Sequence, residues 1–205
     1  MIGEWRAVNS VQQNNNYGAE CVHSRGSASV EQVANRDIHA DQQVIRWTKP
    51  RIGWWKCNVD ASFSQNPSYT GWGWCVRDSV GSFIAAGTDH YRHSLTVAEG
   101  EAKALLEAMR EAISRGWSNI VFESDTKVVV DAVHTSHHGN SELSSIISSI
   151  KSLLHCHSNF EVKFTKRQAN MAALKLARAA CSWSSRTFFN NIPRCIVPFI
   201  INEMS

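Results

Sequence analysis

Three acidic residues stand at positions where a purely structural acid is unusual. Asp60 interrupts a run that alternates like a β-strand, an element that disfavours aspartate. Glu101 falls on the apolar side of a helical repeat, where a buried carboxylate is costly unless it binds something. Asp125 follows a short apolar run at a strand-to-helix junction, the place where functional sites collect in α/β sheets.

Each acid also has a structural alternative. Asp60 shares its strand face with Asn58 and Ser62, so that face could simply be exposed to solvent. Ser124 or Asp125 could be the N-cap of the following helix, a role that either residue type fills well. Glu101 could sit at the edge of the apolar stripe and reach water with its carboxylate. Taken one at a time, the three residues leave these alternatives open.

Together the three acids point to metal chemistry. A residue of the first strand, one of the first helix and one after the fourth strand can converge on one spot. Carboxylates about 5 Å apart repel by roughly 3 kcal/mol per pair at an effective dielectric constant near 20. Such a cluster needs cations, and hard oxygen ligands select Mg²⁺, or Mn²⁺ as a substitute. Two ions near 4 Å apart would clamp the attacking and leaving oxygens of a phosphodiester.

The elements that must position these acids follow from periodicity. Period-two alternation predicts a strand from Trp55 to Phe63, and short runs from Thr70 to Arg77 and from Ser82 to Gly87 complete an antiparallel meander. Apolar residues at helical spacing predict a helix over Val97 to Arg115, and Gly116 ends it. The remaining elements are a strand at 120–122, a helix after Asp125 whose inward residues begin at Val128, a helix whose apolar face begins at Leu143, a strand at 160–164 and a helix at about 170–180.

Composition excludes several classes of protein. The 205 residues allow one domain plus tails. No run approaches the roughly 18 apolar residues of a membrane helix, and the first residues lack the apolar run of a secretory signal. No two of the six cysteines are closer than fourteen residues, which excludes a CxxC pair and favours free thiols. We therefore expect an intracellular protein, nuclear or cytoplasmic, that is not secreted.

Charge and patterning divide the chain into three parts. Residues 1–47 show no periodicity and predict a disordered N-terminal tail, in which 30–45 could form a weak helix. Residues 151–205 carry eight basic and two acidic side chains, a net charge of +6. Such a flank can attract a polyanion, although a solvated basic surface explains it equally well. Lys166 and Arg167 could contact phosphates, and Ser62 could approach a ribose hydroxyl or a phosphate.

Four short segments, in this order and spacing, resemble the ribonuclease H superfamily, and specifically the plant ribonuclease H-like domains related to reverse transcriptases of non-LTR retrotransposons. They are Trp55-Lys56-Cys57-Asn58-Val59-Asp60-Ala61-Ser62, Ala98-Glu99-Gly100-Glu101-Ala102-Lys103-Ala104-Leu105, Phe122-Glu123-Ser124-Asp125 and Lys166-Arg167-Gln168-Ala169-Asn170. The resemblance covers residues 54–182, leaving 183–205 as a C-terminal tail. It implies an α/β ribonuclease H-like fold, with a mixed five-stranded sheet whose first three strands are antiparallel and which helices flank.

The resemblance also implies an activity. It is that of a nuclease which uses Mg²⁺ or Mn²⁺ to cut internally the RNA strand of an RNA–DNA hybrid. Asp60, Glu101 and Asp125 fall on the carboxylate positions of the family and would be both catalytic and metal-binding. Nucleic acid is the expected partner, and neither a membrane nor a protein partner is implied.

One position departs from the family pattern. Four residues beyond Asn170 the family usually carries an aspartate or a histidine, whereas this chain has Leu174. Leucine can neither ligate a metal nor carry a proton. A second hypothesis is therefore a catalytically weakened or inactive module that still binds nucleic acid.

Overall fold

A mixed six-stranded sheet organises the chain. The computed structural model describes residues 46–65, 68–135 and 141–204. The strands are β1 (Trp55–Gln65), β2 (Ser68–Arg77), β3 (Phe83–Tyr91), β4 (Ile120–Ser124), β5 (Phe160–Phe164) and β6 (Thr187–Phe189). Their order across the sheet is β5-β4-β1-β2-β3-β6. The predicted tail at 1–47, apart from its last two residues, and the weak helix at 30–45 lie outside the described residues.

The predicted mixed sheet is confirmed, but its strand number was underestimated. Strands β1, β2 and β3 form the expected antiparallel meander, and β4 and β5 run parallel to β1. The sixth strand pairs antiparallel with β3 and comes from the predicted C-terminal tail. Three residues are too few to show an alternating pattern, so the sequence carried no signal for this strand.

Five α-helices in the described part of the chain flank the sheet. They are α1 (Val97–Ser114), α2 (Lys127–His134), α3 (Glu142–Cys156), α4 (Met171–Ala179) and α5 (Val197–Met204). Helix α1 starts with a capping box between Thr96 and Glu99, which satisfies two free backbone donors. Gly116 follows the helix with a φ of 67°, a conformation that costs glycine little. These signals explain why the predicted bounds of α1 agree with the structure.

The two faces of the sheet are covered by different elements. Alternate residues of β1, including Cys57 and Val59, join the main hydrophobic core with α1, α2 and α3. The opposite face is covered by α4, which lies directly on β2. A Cβ atom added at Gly73 would stand 2.5 Å from the Cβ of Leu176 and 2.6 Å from the backbone nitrogen of Ala177. The glycine is therefore what allows α4 to come this close.

The residues beyond 182, expected as a tail, add to the domain. Ile196 and Ile200 are fully buried in a second core cluster with residues of α4 and the sheet. Arg77, which is 1% exposed, forms an ion pair with Glu203 of α5. A buried guanidinium is tolerable only with such a partner, so α5 is needed to bury the end of β2.

Two expectations about the chain's class can be compared with the structure. None of the helices in the described ranges has both the length and the apolar character needed to cross a membrane. All five cysteines in those ranges are free thiols, as expected, and Cys57 and Cys75 are buried. Cys156 and Cys181, by contrast, are exposed.

Candidate active site

Asp60 lies in the centre of β1 on the face that α4 covers. It is 1% exposed, and its neighbour Asn58 on the same face is fully buried. The alternative that this face is open to solvent is therefore wrong, because a helix 110 residues further along the chain packs over it. From that helix's N-terminus, Asn170 donates hydrogen bonds from Nδ2 to Oδ2 of Asp60 and to the backbone oxygen of Val59, both at 2.9 Å.

Burial makes ionisation of Asp60 costly. The pKa of its carboxyl rises to about 7, first because of burial and second because of the negative charge of Asp125. Arg167, the hydrogen bond from Asn170 and Arg178 act in the opposite direction and lower the pKa. With its pKa raised in this way, the carboxyl is partly protonated near neutral pH, and a nearby cation would strongly favour its ionised form.

Glu101 extends from α1 towards the same place. It is 5% exposed, in agreement with its position on the apolar side of the helix. The pKa of this carboxyl is raised to about 9, mainly by burial, next by the charge of Asp60 and then by that of Asp125. Hydrogen bonds with the backbone of Ala61 and the side chain of Thr126 lower the pKa in part. Its Oε2 atom is buried without a hydrogen-bond partner. A buried carboxylate oxygen without a hydrogen-bond partner is costly to the folded protein.

Asp125 follows β4 and completes the group of acids. The alternative that Asp125 or Ser124 caps the next helix is wrong, because Thr126 is the N-cap of α2 and makes no side-chain capping bond. Burial raises the pKa of Asp125, and Arg167 lowers it. The guanidinium of Arg167 lies 3.4 Å from Oδ2 of Asp125. Asp125 is therefore free for another role, but its present partner is an arginine.

The three predicted acids are electrostatic neighbours, but they do not form a finished metal cluster. The charge of Asp60 acts on Glu101, and that of Asp125 acts on both. Within the described ranges, no group of three or more histidine, cysteine, aspartate or glutamate side chains is arranged so that it could hold a metal ion. The residues fit a hard divalent cation by donor chemistry and charge, and the partnerless oxygen of Glu101 supports this fit.

Leu174 occupies the face of α4 that Asn170 begins. It lies four residues after Asn170, one turn along the helix, and is 4% exposed. Arg178, a further turn along, is close enough for its charge to lower the pKa of Asp60. The helix thus presents an amide, an aliphatic side chain and a cation in succession, and it supplies no fourth carboxylate.

The three residues predicted to contact nucleic acid lie near this site. Ser62 is half-buried on β1, two residues beyond Asp60, and pairs with Gly71 of β2. Lys166 and Arg167 are exposed at the turn between β5 and α4. All three are accessible, and Arg167 is the one already paired with a carboxylate of the site.

A buried polar network next to the acids was not predicted. Glu123 accepts from Asn58 at 3.1 Å and pairs with Lys56 at 2.7 Å, and Arg77 donates to Oδ1 of Asn58 at 3.0 Å. Trp47 stacks on the guanidinium of Arg77, 3.6 Å from ring to Cζ. The signal in the sequence was a polar residue at every second position of β1. Because Asn58 and Glu123 each precede an acid by two residues, the network fixes the two strands that carry Asp60 and Asp125.

Asn170 is the second residue that site prediction missed. It is fully buried and its Oδ1 atom lacks a hydrogen-bond partner, like Oε2 of Glu101. Its importance could have been inferred from its place in one of the four segments that resemble the ribonuclease H superfamily. Nothing in the sequence alone indicated that Asn170 donates a hydrogen bond to Asp60.

A family model described as "Reverse transcriptase-like" matches residues 58–180. That match covers more than half of the chain and includes all three acids. No curated protein matches the chain in sequence.

Solved structures show the same fold. The chain is similar to RNase H1 from the archaeon Halobacterium salinarum, with 23% identity, a TM-score of 0.57 and coverage of 63% of this chain and 98% of the other. An N-terminal RNase H domain from Mycobacterium tuberculosis is 18% identical with a TM-score of 0.55, covering 62% and 93%. LC11-RNase H1, solved in complex with an RNA/DNA hybrid, is 16% identical with a TM-score of 0.56, covering 62% and 96%. At these identities the likeness establishes the fold alone.

Proposed function

Because the chain belongs to the reverse transcriptase-like family and has a ribonuclease H fold, we propose that it binds nucleic acid and hydrolyses the RNA strand of RNA–DNA hybrids internally, with divalent metal ions. The catalytic and metal-binding residues in this proposal are Asp60, Glu101 and Asp125. The working unit is the domain from 54 to 182, to which residues 187–204 contribute a strand and a helix. An intracellular place, nuclear or cytoplasmic, suits such a substrate, and a plant or retrotransposon origin stays a prediction.

One observation carries the proposal: a buried oxygen of Glu101 has no hydrogen-bond partner, and the like charges of two further acids act on the same carboxyl. A structural carboxylate would be paired with an arginine or a lysine, or would reach water. Glu101 does neither. Its burial and its raised pKa are costs to the folded protein, and a divalent cation at this place would remove them.

Mg²⁺ or Mn²⁺ bound by Asp60, Glu101 and Asp125 would supply a strong positive charge for the phosphodiester oxygens during hydrolysis. The chain's own residues prepare that place. Asn170 orients the carboxylate of Asp60 through its 2.9 Å hydrogen bond. The packing of α1 and α4 against β1 holds the carboxylates of Glu101 and Asp60 away from bulk water.

The choice of substrate rests on the relatives and on charge. LC11-RNase H1 was solved with an RNA/DNA hybrid, which is a property of that protein. In this chain, Arg167 places an exposed cation beside Asp125, and the exposed Lys166 directly precedes it, so the phosphates of a strand could lie there. Arg167 would then exchange its carboxylate partner for a phosphate, and Ser62 would contact the same strand.

A cleavage assay tests this proposal. Wild-type protein with Mg²⁺ should cut the labelled RNA strand of a hybrid, and Asp60→Asn should lower the rate by at least about a hundredfold, since it removes a carboxylate that no other described side chain replaces. Asp131→Asn is the matched control, because Asp131 lies exposed on α2 in a pair with Lys127. Equal cleavage by Asp60→Asn and Asp131→Asn would refute the assignment.

A second candidate function is supported by Leu174. A buried leucine stands on the helix face that leads to Asp60, and no described side chain supplies a fourth ligand there. In this case the chain would bind hybrids, with an affinity that falls as salt rises, and would turn them over slowly or not at all.

Substitution at position 174 separates the two candidates. If a missing ligand limits the wild-type protein, Leu174→Asp or Leu174→His should raise cleavage at least tenfold, and Leu174→Asn, which has the shape of aspartate without its charge, should not. No gain from either variant in a slow wild-type protein would show that the missing ligand is not the defect. Hybrid binding that does not change with salt would remove the binding module as well.

A further inference from the structure

A cavity of 440 Å³ opens on the sheet face that carries Asp60, away from the acids. Ser68 and Tyr69 of β2, His90 at the end of β3, Arg92 and Cys181 line it. Its volume is that of sites which take small organic ligands. None of these residues belongs to the proposed catalytic group.

The cavity exists because α4 ends before it covers the whole sheet face. Close packing of α4 on β2 reaches Gly73 and Gly71, where an added Cβ would stand 2.7 Å from the backbone oxygen of Ala177. The helix ends at Ala179, so the next side chain on this face of β2, that of Tyr69, is left half-open. Cys181, in the turn after α4, lines the cavity together with Tyr69, and it raises the pKa of the Tyr69 hydroxyl.

The lining of the cavity has the chemistry of a nucleotide site. Arg92 is exposed, and within the part of the chain that the structure describes it has no ion-pair partner. His90 has a buried Nδ1 atom without a hydrogen-bond partner, while its backbone N–H is satisfied by Asp89. Among the described residues that line the cavity there is no carboxylate, and Tyr69 contributes an aromatic ring. A guanidinium and an imidazole suit a phosphate, and a tyrosine ring suits a base.

We propose that this cavity binds one nucleotide of the substrate strand, with Arg92 and His90 on its phosphate and Tyr69 stacked on its base. This inference rests on the proposed function, since it names a further contact of the same substrate. Strand β2 runs from Tyr69 to Gly73, the partner of Asp60, over four residues, which at ~3.4 Å per residue is roughly 14 Å. Because α4 lies on β2 between these two residues, the strand has to pass around the helix, and the nucleotide in the cavity lies at least a few positions from the reacting phosphate.

Binding measurements on the full chain in EDTA test the site without any turnover. The probes are a fluorescent RNA–DNA hybrid of twelve base pairs and the same hybrid with a four-nucleotide single-stranded RNA extension. Arg92→Gln should weaken binding of the extended hybrid by about five- to tenfold and reduce the slope of log affinity against log salt by about one. Arg110→Gln removes the same charge from an exposed position on α1 and should change neither quantity.

The aromatic contact has its own matched pair. Tyr69→Leu should weaken binding of the extended hybrid about five- to tenfold, and Tyr69→Phe should keep the wild-type affinity, because phenylalanine stacks as well. Equal effects of both would show that stacking is not the interaction. An Arg92→Gln protein with the affinity and salt slope of Arg110→Gln would overturn the phosphate assignment.

The outcomes separate this site from the proposed activity. Affinity lost in Arg92→Gln without cleavage by any of the proteins would uphold the cavity and refute the nuclease. Cleavage that depends on Asp60, with uniform binding by Arg92→Gln and Arg110→Gln, would uphold the nuclease and refute the cavity. If the wild-type chain binds neither probe at low salt, the cavity assignment is wrong.

Discussion

Glu101→Gln should make the metal-free protein more stable at neutral pH. In the folded protein the pKa of Glu101 is raised to about 9, whereas its ordinary value is 4.5. Between these values the unfolded chain releases the proton and the folded chain keeps it. Stability therefore falls as pH rises through this window, because the unfolded state binds fewer protons. Glutamine has no proton to lose and removes the penalty.

The size of the effect follows from the width of the window. A pH of 7 lies about 2.5 units above the pKa that the Glu101 carboxyl has in the unfolded chain, and each pH unit corresponds to about 1.36 kcal/mol. The full penalty is thus about 3 kcal/mol, and we expect Glu101→Gln to recover roughly 2 kcal/mol of it, since its amide must still find partners among Asp60 and the backbone of Ala61. Below pH 4.5 both proteins are neutral at this position and the gain should disappear.

Urea unfolding in EDTA at pH 4, 7 and 8.5 measures this difference. Glu142→Gln, an exposed change in the first turn of α3, is the control and should stay within about 1 kcal/mol of wild type at every pH. The reasoning fails if Glu101→Gln is no more stable than wild type at pH 8.5, or if its gain is the same at pH 4.

Three further changes test the surroundings of the site. Asn170→Ala removes a hydrogen bond that lowers the pKa of Asp60, so the acid limb of the pH–rate profile for hybrid cleavage should move to higher pH. An acid limb at the wild-type pH would contradict the role of Asn170 in lowering this pKa. Gly73→Ala drives a methyl group into the backbone of α4 and should cost at least about 2 kcal/mol in urea unfolding, while an unchanged midpoint would show that α4 can move freely. Glu203→Gln leaves the buried Arg77 uncompensated and should cost about 3–5 kcal/mol in the same assay, and a cost below about 1 kcal/mol would mean that α5 does not hold β2.

Local signals were enough to predict the elements that carry the acids. The alternation in β1 and the capping and glycine signals of α1 act within a few residues, so the sequence shows them directly. The resemblance then added the prediction of a mixed sheet flanked by helices. What it could not show was the short sixth strand at Thr187–Phe189, because its pairing with β3 is decided by contacts about a hundred residues apart.

The same limit explains why the structural alternatives at the site stayed open. Asp60 was compatible with an exposed strand face, since the cover comes from α4 and from the distant Asn170. Asp125 was compatible with a helix cap, because a one-residue shift of the helix start to Thr126 cannot be read from the sequence. Glu101 was placed correctly on the apolar side of α1, a local property of its helix. Which oxygens lack partners is a property of the folded chain alone.

Divalent ions at the three acids are the central requirement of the proposed function, and calorimetric titration of Mg²⁺ into the full chain measures their binding directly. Repeating the titration at pH 7 in buffers with different ionisation heats counts the protons released. Because the pKa of Asp60 is raised to about 7 and that of Glu101 to about 9, we expect binding to release about one proton or more. We also expect Asp60→Asn to abolish binding and Asp131→Asn to preserve it. No binding, or equal binding without proton release in all three proteins, would contradict the account.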